Sequence, residues 1–387
     1  MYTFQFGLLC LSSFLFFSSF NMIIPELPGY LDRMGGGEYK GFIIALFTLT
    51  AGLSRPFSGK LADKVGRIPI MIFGAAVCFV CGFLYPFAVT VAGFLLLRLV
   101  HGFSTGFKPT GTSAYVADIA PFHRRGEAMG VLGLCGSLGM ASGPAIGSTI
   151  ALYYPMEVMF YASSVAAILS VLILAGMKET LDQPERFRWR LLRLSKNEIF
   201  EPRVLPPAIV LVLTTFSFGT VLTIAPDLSD HLGIRNKGLF FTSFTIASVA
   251  IRFFAGKASD KYGRAAVLKI AAFTLAVGML LLGLANSVTT LLVAGVVFGL
   301  AAGMNTPTAF AWAIDLSHEK HRGRGMATLY ISLEAGIGLG ALFSGWIYGN
   351  DPAMFFYTFF AGSILGLCAL LYLQFGLKTQ EKKVKAA

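Results

Sequence analysis

The sequence predicts an all-α membrane protein, with twelve transmembrane helices in two pseudo-symmetric six-helix bundles. Three observations predict it. Charged residues make up 13% of the 387 positions against 55% hydrophobic ones, about half the charged share of an ordinary soluble domain. Several apolar runs approach the roughly 20 helical residues that cross a hydrocarbon layer of about 30 Å, and they do not alternate as barrel strands do. The chain also repeats itself. Gly59-Lys-Leu-Ala-Asp-Lys-Val-Gly-Arg67 returns as Gly256-Lys-Ala-Ser-Asp-Lys-Tyr-Gly-Arg264, 197 positions later, which indicates two homologous bundles rather than one large soluble core.

In order, the first six helices are expected near 4–28, 40–61, 69–88, 91–117, 126–151 and 156–176. The second six are expected near 205–227, 237–258, 267–285, 289–314, 325–348 and 353–375. These define an N-terminal bundle over 1–176, a linker over 177–204, a C-terminal bundle over 205–376 and a tail over 377–387. The linker is polar and Arg-rich and carries Pro184 and Pro202, a composition that suits a connecting segment with one surface helix. The 197-residue offset extends beyond the opening motif. Arg55 matches Arg252, Gly102 matches Gly299, Gly106 matches Gly303, Asp118 matches Asp315, and Arg125-Gly126 matches Arg322-Gly323. The first outer loop shifts register by four, so that Pro25-Glu26-Leu27 aligns with Pro226-Asp227-Leu228.

The net charge of +11 has no basic domain or basic stripe that would read nucleic acid. With both termini in the cytoplasm, 23 of the 31 Lys and Arg fall on the inner side. Four (Arg33, Lys40, Arg235, Lys237) fall outside, and Arg55, Arg98, Lys108 and Arg252 lie within spans. That is the positive-inside bias of a multi-pass protein. The five cysteines all sit in apolar segments. Cys78 and Cys81 have redox-motif spacing without the soluble α/β context that gives it meaning, so all are read as buried thiols. The first 28 residues lack a basic n-region and a small-residue cleavage site and are read as a mature span.

Four segments together resemble the major facilitator superfamily, over nearly the whole chain. The repeated Gly-Lys-Leu-Ala-Asp-Lys-Val-Gly-Arg loop is similar to the family signature, and its second copy is unusually complete. Leu97-Arg98 through Gly102 and Gly106 in span 4 resembles the family's Arg-containing motif. Gly139-Met-Ala-Ser-Gly143-Pro144-Ala-Ile-Gly147 in span 5 resembles the motif of its antiporters, and Asn21-Met-Ile-Ile-Pro25-Glu-Leu-Pro28 resembles the end of span 1 in twelve-span drug:proton exporters. The resemblance implies that spans 1, 4, 7 and 10 line a central cavity.

Each motif also has a physical reading. Gly59 and Gly66, like Gly256 and Gly263, permit a tight reversal between spans. Asp63 suits the amino end of a neighbouring helix, and Arg67 can reach Asp118 at the end of span 4. Such a cluster is a conformational gate, closed in one state and broken in another. Asp63, Gly66, Arg67 and Asp118 form it in the first half, and Asp260, Arg264 and Asp315 in the second. Lys60 and Lys64 also fit a simple topology anchor. Gly139, Gly143 and Gly147 give span 5 a face without side chains for close packing, and Pro144 removes a helical hydrogen bond and adds a bend.

Ionisable groups at membrane depth cost roughly 2.5–3.5 kcal/mol and need partners or water. Arg98, His101 and Lys108, with Thr105 and Thr112, make one polar stripe on span 4. The functional reading is substrate binding by Arg98, His101, Thr105 and Lys108, with Arg98 also tuning proton coupling. The structural reading has Arg98 bound to carbonyls near Pro25 and Lys108 snorkelling to the surface. Glu334 is the carboxylate expected near mid-membrane, as a proton carrier or as one half of a fixed pair. Asn21 and Asn305 are polar candidates for the cavity or cross-links between helices. Glu26 and Asp227, after their prolines, read as solvated mouth residues. Arg55 and Arg252, being symmetric, read as structural.

The expected activity is proton-coupled export of small, partly apolar solutes by alternating access, with import of an anionic metabolite as the alternative. A zinc pair, a nucleophile elbow and a phosphate-binding glycine loop are all missing from the sequence, so no enzyme, cofactor or metal is expected. The expected partners are a small-molecule substrate, protons and membrane lipid. The chain is expected to be a monomer in a bacterial inner membrane.

Overall fold

The computed structural model of the protein describes residues 3–121, 124–193, 200–317 and 322–376, with the side chains of Gly126, Arg322 and Gly323 left out. The tail over 377–387 and residues 194–199 of the linker therefore lie outside the described residues. Twelve long helices carry the chain: α1 (Phe4–Ile23), α2 (Lys40–Lys64), α3 (Arg67–Leu84), α4 (Val91–Ile119), α5 (Arg125–Tyr153), α6 (Met156–Ala175), α7 (Leu205–His231), α8 (Gly238–Tyr262), α9 (Arg264–Gly283), α10 (Val288–Leu316), α11 (Arg322–Tyr348) and α12 (Phe355–Leu371). No strand occurs among the described residues. Among the described residues, eleven of the helical segments are long and apolar enough to cross a membrane. The exception is α4, which carries Arg98, His101 and Lys108.

Local chemistry sets several boundaries. The Thr3, Thr90 and Ser287 side chains accept from the backbone N–H groups of Phe6, Gly93 and Thr290 and so start α1, α4 and α10, satisfying donors that the first turn leaves open. At Pro25 α1 passes through a 3-10 turn over Ile24–Glu26 into a short helix over Leu27–Arg33, whose first turn holds Pro28, a position where the missing N–H has no intrahelical partner to lose. α5 runs helical through Pro144, and α2, α4, α7 and α10 run through Pro56, Pro109, Pro226 and Pro307. The linker forms two short 3-10 turns, Trp189–Leu192 and Pro202–Val204.

The chain divides into two compact units. The first comprises Met1–Gly37, Leu46–Glu198 and Asn236–Gly238, and the second Glu38–Ala45, Ile199–Arg235 and Leu239–Ala387. Inside the first, α1 packs along α5 and α6, and α3 along α4 and α6. Inside the second, α7 packs along α11 and α12, and α9 along α10 and α12. The two patterns are the same pattern, displaced by six helices.

Close approach is bought with missing side chains. A Cβ on Gly102 of α4 would land on the Phe47 carbonyl of α2, and one on Gly299 of α10 would land on the Phe244 carbonyl of α8. Both members of each contact are displaced by 197. On α5, Cβ atoms at Gly139, Gly143 and Gly147 would strike the carbonyls of Phe14, Ser18 and Met22 on α1. Backbone proximity of this kind drives helix association where water gives no hydrophobic push. Between α1 and α6 serines add hydrogen bonds, Ser12 to Ser170 at 2.8 Å and Ser19 to Ser163 at 3.1 Å. The second unit closes instead over an aromatic core that includes Phe240, Phe244, Phe298 and Phe359.

Candidate functional site

Inside the first unit, the polar stripe of α4 is buried and bound to its neighbours. Arg98, 1% exposed, donates from Nη1 to the Tyr85 hydroxyl at 3.3 Å and lies 4.6 Å from the centre of the Phe47 ring. Phe47 lies on α2 and Tyr85 just beyond α3. His101 sits between the Tyr85 hydroxyl, 3.0 Å from Nδ1, and the Cys78 thiol, 3.3 Å from Nε2. Cys78 continues to Ser19 at 3.4 Å. One hydrogen-bonded file therefore runs from α4 through α3 to α1. Lys108, fully buried, donates to Ser13 Oγ at 3.0 Å and lies 5.1 Å from the Phe16 ring centre. The snorkelling expected of it is not observed, because a serine and an aromatic face meet it at depth. Thr105 and Thr112 turn their hydroxyls back to the carbonyls of Gly102 and Lys108. Asn21 likewise donates to Phe17 O on its own helix at 2.8 Å.

In the second unit, Asn305 of α10 donates from Nδ2 to Thr214 Oγ1 of α7 at 2.8 Å. Thr214 already gives its proton to the Val210 carbonyl at 2.8 Å, which fixes the direction of the first bond. The Asn305 Oδ1 atom is left buried with no hydrogen-bond partner among the described residues. An acceptor held dry in this way is costly unless something donates to it. Glu334 of α11 is 7% exposed, two residues before Gly336, whose absent Cβ lets α11 meet the Val212 backbone of α7.

The repeated loops bring their charges together. Arg67 donates from Nε to Asp118 at 3.0 Å and from Nη1 to Asp63 at 2.7 Å. Arg264 donates from Nε to Asp315 and from Nη1 to Ser259, both at 2.8 Å, and pairs with Asp260. The turns depend on Gly66 (φ 131°) and Gly263 (φ 91°), backbone angles that suit glycine. Gly59 and Gly256 do not share that task. Both lie inside helices, in open space.

Asp63 does not cap the neighbouring helix, since it is 71% exposed and turned to Arg67. The cap comes from Glu179, which accepts from the backbone N–H of Arg67 at 3.0 Å and of Ile68 at 2.9 Å. The sequence reading missed Glu179 because it lies in a linker, 112 positions from its partner. Its only signal was an acidic residue directly after an apolar span. Thr180 adds a bond to Asp118 at 2.6 Å. Near the end of the linker, Glu201 holds Arg324 at 2.6 Å and donates from its backbone N–H to Thr328.

Glu26 and Asp227, expected as solvated mouth residues, are both 8% exposed. Each has a lysine partner, Lys237 at 3.7 Å and Lys40 at 2.5 Å. Lysine partners remote in sequence removed them from water, and nothing local announced it.

The Major Facilitator Superfamily pattern matches residues 9–234 and 207–387, nearly the whole chain, and the protein belongs to that family. It is an integral, multi-pass membrane protein of the transporter fold. It is 27% identical over 272 residues to Multidrug resistance protein 2 of Bacillus subtilis, spanning 67% of this chain and 68% of that one. It is 28% identical over 312 residues to the multi-drug resistance efflux pump PmrA of Streptococcus pneumoniae, spanning 76% and 77%. With Quinolone resistance protein NorA of Staphylococcus aureus it is 30% identical over 221 residues, and the matched region is about half of NorA, 55%. Among solved structures, the human organic anion transporter MFSD10 superposes with a TM-score of 0.73 at 21% identity, covering 95% of this chain and 98% of that one. The xylose transporter XylE of E. coli superposes with 0.76 at 17%, covering 96% and 97%. At such identities these two speak for the fold alone.

Proposed function

We propose that the protein exports small, partly apolar solutes in exchange for protons, by alternating access about a site deep in the membrane. The observation that carries this reading is Glu334, a carboxylate buried on α11 at a depth where charge is tolerated for function. The names of the relatives, multidrug resistance and efflux proteins, support export. In this reading Glu334 takes up and releases the proton, and Asn305 offers its spare acceptor to a donor on the solute. Arg98 and His101 hold the polar file of the first unit, and Lys108 ties α4 to Ser13 of α1. The ion pairs of Arg67 and Arg264 form in one state and part in the other. The distribution of Lys and Arg, 23 of 31 on the side of the repeated motif, supports a cytoplasmic position for that side and for both termini. A bacterial inner membrane and a monomer fit.

Everted vesicles test it. A panel of lipophilic dyes and drugs is expected to include members that release an imposed proton gradient, and Glu334→Gln is expected to abolish the release. An unaltered response in the variant removes Glu334 from the mechanism. Import of an anionic metabolite is the second reading, favoured by the two buried cations Arg98 and Lys108. Uptake of organic acids that is lost in Arg98→Ala would select it.

A further inference from the structure

Within the first unit, the chain leaving α6 forms a strap with two unlike sides. Its inner side is fastened at the end of α2. The backbone N–H of Glu185 donates to the Lys64 carbonyl at 2.7 Å, and Lys60 donates to the Arg193 carbonyl at 2.7 Å. Leu191 and Leu192 pack on a cluster of Leu61, Ala62, Ile70 and Phe107. Its outer side presents Arg186, Phe187, Arg188, Trp189, Arg190 and Arg193, all exposed, with Trp189 at 80%. None of these four guanidinium groups makes an ion pair or a hydrogen bond among the described residues.

The order of residues makes the outer side amphipathic. Arg188 is extended (φ −137°, ψ 140°), and side chains along extended backbone alternate between faces. Phe187 and Trp189 therefore share a face, where their rings meet edge-on 5.6 Å apart, and Arg188 falls on the opposite one. Aromatic rings beside basic residues at the end of a span are the chemistry of a membrane–water interface. In bulk water the same rings would leave a large apolar area unburied.

An apolar groove begins where the strap is seated. Phe107, part of that seat, meets the ring of Phe73 at 4.6 Å, and Phe73 lines a groove of about 210 Å³. Ala76, Val77, Val80 and Cys81 of α3 and Val100 of α4 complete its walls, none of them charged. The groove opens outward, since Phe73, Val80 and Val100 are 46%, 47% and 40% exposed. From Phe73 to Cys81 the rise of α3 carries it about 12 Å along the span.

We propose that strap and groove form one binding site for an anionic phospholipid, with its phosphate on the arginines and an acyl chain along α3 and α4. Guanidinium groups pair with phosphate oxygens through parallel hydrogen bonds, and basic residues beside a span draw anionic lipid. The groove offers a chain apolar walls and offers a headgroup nothing. A soluble anion would satisfy the arginines and leave the groove open, and a neutral lipid would do the reverse. Only a molecule with both parts uses both halves, and the halves meet at the Phe107 cluster.

Native mass spectrometry of the full-length protein tests the site, with phosphatidylglycerol and phosphatidylcholine of identical chains. Phosphatidylglycerol is expected to bind about tenfold tighter. Arg186→Gln, Arg188→Gln, Arg190→Gln and Arg193→Gln combined are expected to erase that preference and to leave phosphatidylcholine binding unchanged. Val80→Trp, which fills the groove from its open side, is expected to weaken both lipids alike. Should that variant fail to fold, short-chain phosphatidylglycerol on the unaltered protein answers the same question, and is expected to bind about tenfold more weakly than the long-chain form. Equal binding of the two headgroups overturns the site, as does a preference that survives the arginine changes. Indifference to chain length or to Val80→Trp removes the groove and overturns it too. Displacement of the lipid by soluble glycerophosphate or by an acidic peptide would make the strap a general anion surface and overturn the lipid assignment. The four arginines and the groove take no part in the transport reading, which any of these failures would leave standing.

Discussion

The two copies of the repeated loop share their sequence but not their surroundings. Arg67 and Arg264 each bind the aspartate four residues before and the aspartate 51 residues after. Around the first copy the chain leaving α6 adds a second layer. Glu179 caps α3, Thr180 holds Asp118, Lys64 pairs with Glu185 at 3.0 Å, and Lys60 donates to the Arg193 carbonyl at 2.7 Å. Around the second copy the described residues offer only Ser259 beyond the aspartates. Arg67 is accordingly 12% exposed and Arg264 23%. Duplication reproduced the arginine and its carboxylates, because those lie within one unit's own repeat. It could not reproduce the strap, because the linker follows α6 alone.

The comparison can be broken first where the copies are most alike. Gly102→Val and Gly299→Val should each force α4 from α2, or α10 from α8, and lose about 3 kcal/mol of stability, read as apparent Tm in detergent. Unequal losses would show that the seams are not equivalent. Next, Arg67→Ala should cost about 2 kcal/mol and Arg264→Ala about 1 kcal/mol, since only the first leaves carboxylates inside a larger bonded cluster. Equal costs would mean that the strap adds nothing. Glu179→Ala should cost about 1 kcal/mol by removing the cap of α3, and Glu179→Gln should recover part of it. The smallest effect belongs to Asp63→Ala and Asp260→Ala. Both side chains are about 70% exposed, and exposed pairs contribute no more than about 1 kcal/mol. A larger shift would give Asp63 a structural weight that its exposure denies.

Much of the core was legible beforehand. The glycines at 102, 106, 139, 143 and 147 announce helix faces without side chains, and those faces are the ones pressed on α2 and α1. The residues flanking Arg67 foretold a turn, although only Gly66 of its two glycines makes it. The α4 stripe was legible as polar and deep, but not as the file from Arg98 through Tyr85, His101 and Cys78 to Ser19. Tyr85 and Cys78 carry no spacing that ties them to α4. Glu26 and Asp227 were misread as wet for the same reason. A carboxylate after a proline looks like a loop residue until its lysine is found.

The amino-acid sequence by itself determined the twelve helices, their duplication and the residues that let backbones meet. Hydrophobic length and glycine spacing act along a single helix, so they can be read along a single chain. Only the tertiary structure decided which charge answers which, such as Lys40 with Asp227 across 187 positions, or Glu179 with the first turn of α3. An ion pair or a cap is stabilised by proximity in space, and sequence distance carries no trace of it until the helices have packed.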